Sequence, residues 1–214
     1  MKQNVMKYLL DPPKLAAKFD WSRKVGSMLA MDIGKDQIGL AVASHPVHGE
    51  PPLNLDPLPL TLETTTGNRK ALTDSVVNEL QHILRAYNVC GFVVSWPLQK
   101  EGHCGFPCGK VMHTLDSLVE ESTAIINSQR PFCLWDDHHY VPGEDKWGRL
   151  PQYGEASNKT IYKASEEQYV HKYSSSVAVD VWNDFCSKHW PDLYNQVDED
   201  YDEIWDVKPR KSFS

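Results

Sequence analysis

The sequence predicts an α/β protein built on a mixed sheet with helices on both faces, and three observations predict it. Two short apolar runs, Ser27–Ile33 and Gln37–Ser44, lie only a few residues apart, as the strands of a hairpin do. Helical and strand-like patterns then alternate along the chain, which is the order of a sheet with helical crossovers. The run Val89–Trp96 is apolar almost throughout, as suits a strand covered on both faces.

Each element follows in order. Residues 1–24 read as an N-terminal extension, with a short helix near Leu15–Phe19 after the Pro12–Pro13 pair. The first strand closes at Asp32-Ile33-Gly34, where the glycine permits a turn into the second. Five prolines between 45 and 59 predict loop, because each removes a ladder donor, and a third strand is expected at Leu58–Leu62. Leu72, Val76, Leu80, Ile83, Leu84 and Tyr87 recur at three- and four-residue intervals, one face of an amphipathic helix. After Val89–Trp96, Pro97 and Gly102 break the chain. Val111, Leu115, Leu118, Val119 and Ile126 then give a second helix face, and Phe132–Trp135 a last short strand. Residues 138–158 read as a polar loop and about 159–189 as a final helical region. The domain therefore spans 25–190, and 191–214 is an acidic C-terminal tail.

Composition narrows the function classes. The chain has 214 residues, 41% hydrophobic and 24% charged, which fits a folded domain rather than wholesale disorder. No apolar run approaches the roughly 20 residues that span a bilayer, and no secretory signal opens the sequence. An intracellular protein is expected, cytoplasmic or nuclear with an organelle still open, and no membrane partner. The net charge is −7, and six of the acids (Asp198, Glu199, Asp200, Asp202, Glu203, Asp206) crowd into the tail. The near-neutral body lacks the general basic excess of nucleic-acid binders, although a local basic groove remains open. The tail suits a basic protein partner. Five cysteines are an odd count without disulfide-scaffold spacing. Cys104 and Cys108 lie near His103 and His113, but no second cysteine pair completes a usual zinc knuckle, so free thiols are expected.

The chemistry sits in acids. Asp32 ends the first strand and Asp136–Asp137 end the last; Asp180 and Asp184 lie one helical turn apart and share a face. In open α/β sheets ligands bind at the carboxyl ends of the strands. Carboxylates gathered there repel one another unless a hard cation such as Mg²⁺ lies among them. Two such ions about 3.5–4 Å apart activate water against a phosphodiester. Each Asp equally fits a plain turn or helix cap, so spacing alone leaves both readings open.

Met31-Asp32-Ile33-Gly34-Lys35-Asp36-Gln37-Ile38-Gly39-Leu40-Ala41 is similar to the D-x-G-x-x-R-I-G-V-A opening of the YqgF/RuvX family of Holliday-junction resolvases. Val93-Val94-Ser95-Trp96-Pro97-Leu98, with Glu101-Gly102 and Gly105, resembles that family's V-V-G-L-P-L…D-G-x-x-G segment. Leu134-Trp135-Asp136-Asp137-His138 stands in the place of its D-E-R motif. The resemblance covers about 27–186. It implies a ribonuclease H-like fold and a Mg²⁺- or Mn²⁺-dependent nuclease acting on branched DNA or structured precursor RNA, monomeric or homodimeric. Asp32 and Asp137 are then the metal ligands and Asp32, Asp136 and Asp137 catalytic acids, with Asp180 the candidate for the third acid position.

The departures define a rival. Gln37 replaces the family's arginine, and Ser175 falls where its final acid is expected. Asp180 comes five residues later, about 140° further round a helix. The rival is a catalytically impaired relative that binds nucleic acid or a protein. His138–His139 beside the acids, and Lys100, Lys110, Lys146, Arg149, Lys159, Lys163 and Lys172 around them, are candidates for phosphate contacts. Trp96, Trp147 and Tyr153 are candidates for base stacking, with core packing the plainer role for Trp96.

Overall fold

The computed structural model describes residues 5–18, 26–60, 62–64, 70–98, 104–120, 125–136 and 177–193. Strands β1 (Ser27–Ile33) and β2 (Gln37–Ala43) form an antiparallel hairpin in which every residue is buried. The turn is tight. Gly34 donates its N–H to the Gln37 carbonyl at 2.8 Å, and a Cβ on Gly34 would stand 2.9 Å from that same oxygen. Only glycine fits so close an approach.

The third strand differs from its expected place. β3 (Leu53–Pro59) pairs antiparallel with β2 and takes in Pro57 and Pro59, within the stretch expected as loop. The reason is position: β3 is an edge strand, and prolines are tolerated where one side of the ladder needs no partner. Leu62–Thr64 (β4) leaves this sheet and pairs with Lys70–Leu72 (β5) in a separate two-stranded ribbon. Leu72 thus ends a strand, and helix α2 (Asp74–Ala86) starts after it, burying Val76, Leu80, Ile83 and Leu84 as the periodicity predicts.

β6 (Val89–Trp96) runs parallel to β1, α3 (Phe106–Glu120) follows, and β7 (Phe132–Asp136) runs parallel to β6. Ile125 and Ile126 are core residues beyond the described end of α3. Helix α4 spans 177–189, and residues 191–193 are again helical. The sheet order is β3-β2-β1-β6-β7, with β1 parallel to β6 and antiparallel to β2. This is a ribonuclease H-like mixed sheet.

Side chains alternate across the strands and divide the core in two. Leu29, Met31, Ile33, Phe92 and Val94 pack with Leu80, Leu84, Leu115 and Leu118 of α2 and α3. Met28, Ala30, Ala41, Ala43, Val93 and Cys133 pack on the other face with Leu15 and with Val181, Trp182 and Phe185 of α4. The segment before β1 takes part in both halves: Val5 joins the first and Leu15, on helix α1 (Pro12–Lys18), the second. Leu10 donates its N–H to the Phe132 carbonyl at 2.8 Å and Leu9 bridges to Phe132, so this segment lies along the outer edge of β7. No helix among the described residues is long and apolar enough to cross a membrane.

Candidate functional site

Asp32 lies near the carboxyl end of β1, the central strand, and is 3% exposed. It shares the sheet face of Met28 and Ala30, the face covered by α4. Its antiparallel partner is Gly39, so β2 places no side chain beside the carboxylate on that face. Its Oδ1 is fully buried and accepts no hydrogen bond among the described residues, while the residue as a whole keeps a polar interaction.

Register fixes what lies alongside. Met31 is level with Val94, so Asp32 is level with Ser95, a buried serine that is in turn level with Trp135 of β7. Trp96 and Asp136 occupy the next row toward the carboxyl edge. The Asp32 and Asp136 positions therefore share one edge with β6 between them, their backbones roughly 10 Å apart at about 4.8 Å per strand.

The direction of α4 follows from two contacts. Trp135 Nε1 donates to Asp184 Oδ2 at 2.9 Å, beside the Asp32 row. At the helix's other end, Trp190 packs edge-on against His45 at 4.8 Å. His45 follows β2, whose last residue Ala43 is level with Met28 at the start of β1. α4 thus runs antiparallel to β1, and its first turn stands over the carboxyl edge. Asp180 is on that turn and exposed, one turn before Asp184.

Of the predicted acids, the fold brings Asp32 and Asp180 to the same edge on the α4 side. Asp136 reaches that edge too, but the two-residue period of β7 puts its position on the Leu134 face, opposite Asp32, so it does not join them as predicted. Asp137, His138 and Ser175 lie outside the described residues, as do the 138–158 loop, the acidic tail and every predicted phosphate-contacting cation except Lys110. Trp96 packs against the core, as its plainer role predicts. Among the described residues no three His, Cys, Asp or Glu side chains come together as a metal-binding group. The donors present at this edge, carboxylates and the Ser95 hydroxyl, are hard oxygens that suit Mg²⁺ or Mn²⁺ better than zinc.

Two features escape a reading of the sequence. Ser95 gains its place only through strand register. The Trp135–Asp184 hydrogen bond joins residues 49 apart, and its sole local trace is a tryptophan directly before Asp136. The histidines at the far end of α4 stand apart from the acids. Burial pushes the His189 pKa down, and burial followed by the neighbouring His48 does the same to His45. No family model and no curated protein sequence matches this chain.

Proposed function

We propose that this protein is a Mg²⁺- or Mn²⁺-dependent nuclease that hydrolyses phosphodiesters in branched DNA or structured RNA, of the kind its YqgF/RuvX-like motifs imply. One observation carries the reading: a buried carboxylate at the end of the central strand of a β3-β2-β1-β6-β7 sheet, beneath the first turn of α4. Asp32 would hold the ion, fixed by a strand paired on both sides, so it needs little reorganisation to do so. Asp180 on α4 would supply a further oxygen, and Asp137, the second ligand that the resemblance names, another; position 136 falls on the opposite face of the sheet from Asp32. The ion supplies Lewis acidity, lowering the pKa of a water and stabilising charge on the phosphoryl group. The Ser95 hydroxyl, buried and level with Asp32, would orient a group beside the carboxylate, and the cover of α4 would keep bulk water from its inner side. The setting would be intracellular, among nucleic acids.

The test is cleavage of a four-way DNA junction and of a structured RNA with Mg²⁺, alongside calorimetric titration of Mg²⁺ or Mn²⁺ into the wild type and Asp32→Asn. Metal-dependent cleavage and a binding isotherm that both vanish in the variant support the reading. Absence of cleavage at high protein concentration, or cleavage indifferent to the substitution, rejects it.

A second reading, the catalytically impaired binding module, draws on the Trp135–Asp184 bond. That contact commits one of the two α4 acids to an indole, leaving Asp180 as the only acid on the described part of α4 not held by Trp135. Junction binding that persists without metal and without cleavage would favour it.

A further inference from the structure

We propose that Cys104 and Cys108 are a redox pair that closes to a disulfide when a peroxide or a low-molecular-weight disulfide reaches the protein. All five cysteines are free thiols, and Cys104 is the exposed one; Cys108, Cys133 and Cys186 are buried and Cys90 is half-buried. Two independent contacts bring Cys104 and Cys108 to one place. Cys104 forms an isolated backbone bridge with Leu98, and the Cys108 thiol donates to the carbonyl of Pro97 at 3.2 Å. Both residues therefore converge on the Pro97–Leu98 dipeptide that follows β6. The two thiols are also near enough for each to bear on the other's ionisation.

The local backbone favours closure. The Gly109 N–H to Gly105 carbonyl bond, 3.3 Å, is the first rung of α3, and Cys108 precedes it. The first N–H groups of a helix have no partner within it, so adjusting this segment bears only on the first-turn bonds that its carbonyls accept, where a helix end frays most easily. Gly105 follows Cys104 and Gly109 follows Cys108, and a Cβ on Gly109 would meet nothing within 4 Å.

The roles follow from exposure. With hydrogen peroxide, the Cys104 sulfur attacks one peroxide oxygen, the O–O bond breaks, and a sulfenic acid and one water result. The Cys108 sulfur then displaces that hydroxyl, the S–S bond forms, and a second water leaves with the thiol proton. Two electrons pass from the thiol pair to one peroxide. With a low-molecular-weight disulfide, Cys104 forms the mixed disulfide and Cys108 expels the small thiol. Burial pushes the Cys108 thiol pKa up, which suits a resolving thiol that stays protonated until its partner is oxidised. Cys133 and Cys186 are raised by burial as well and lie in the packed core. Closure takes the Cys108 thiol off the Pro97 carbonyl, next to the Trp96 row that holds Asp136.

The test uses the reduced full-length chain and one equivalent of hydrogen peroxide, followed by thiol counting in denaturant and peptide mapping. The free thiols should fall from five to three, the intact mass should drop by about 2 Da, and the cross-linked peptide should join Cys104 to Cys108. Dithiothreitol should restore all five. Cys108→Ser, which removes the resolving thiol, should stop at a Cys104 sulfenic acid that dimedone traps. A disulfide-linked dimer through Cys104, a cross-link to another cysteine, or Cys104 oxidised while Cys108 remains fully alkylatable would each overturn the proposal. None of these readouts depends on nuclease activity.

Discussion

The two faces of the sheet are built from different materials. Toward α2 and α3 the strands present large side chains, Leu29, Met31, Ile33, Leu40, Phe92 and Val94, against Leu80, Leu84, Leu115 and Leu118. Toward α4 they present mostly small ones, Ala30, Ala41, Ala43, Val93 and Cys133, and the bulk comes from the helix as Trp182 and Phe185. Small residues on a sheet let a helix approach closely, and its aromatic rings fill the space between. The polar residues Asp32, Ser95, Trp135 and His45 gather on or beside this second face. One face holds the fold together; the other holds an ionisable group in a fixed place beneath a helix.

The sharpest test of that division lies on the aliphatic face. Phe92→Ala removes a fully buried ring from the centre of the larger core half, and should cost about 3–5 kcal/mol. Chemical denaturation should show the loss in one cooperative transition with the slope unchanged. A loss below about 1 kcal/mol would break the comparison.

On the other face the largest effect expected from the proposed function falls on activity. Asp32→Asn should lower metal-dependent cleavage by about a hundredfold or more while leaving the fold intact. Its melting temperature should equal or exceed that of the wild type, since the variant removes a carboxylate that is 3% exposed. Melting curves beside activity assays separate the two effects.

Trp135→Phe keeps the ring but loses the Nε1 donor to Asp184. It should cost about 1–2 kcal/mol, seen as faster amide exchange in α4 than in α3. Equal acceleration in both helices would mean that α4 has no separate stability.

The smallest effect is a pH slope. His189 and His45 both have folded pKa values held below the ordinary 6.5, so each adds stability that is complete above that value and is lost as pH falls through the lowered one. Thermal melts from pH 7.5 downward should show a decline beginning near pH 6.5. His189→Phe should reduce that decline and raise stability, because the buried Nε2 of His189 has no hydrogen-bond partner among the described residues.

What the sequence reveals follows the same division. Ser27–Ile33 is apolar enough to be recognised as a strand and Val89–Trp96 as one buried on both faces, and the four core positions of α2 follow from period alone. β3 is hidden because proline rules concern ladder donors, and only the sheet order reveals that Pro57 and Pro59 lie on an edge. β4 and β5 are three residues each, too short for a period to show. At the site, Asp32 is visible because a strand end followed by glycine is a local pattern. Ser95 and the Trp135–Asp184 bond depend on register and on a helix far along the chain, for which no local pattern exists.

The strip that joins residues 5–18 to the flank of β7 sets an order on how the chain matures. The Leu10 amide finds its native partner only after Phe132 has been synthesised. At ribosomal speeds of roughly 5–20 residues per second, the amino-terminal stretch waits on the order of ten seconds with its greasy side uncovered. A chaperone that grips newly made chains would find its longest opportunity there, and synonymous codon changes that slow translation before residue 132 should lengthen it.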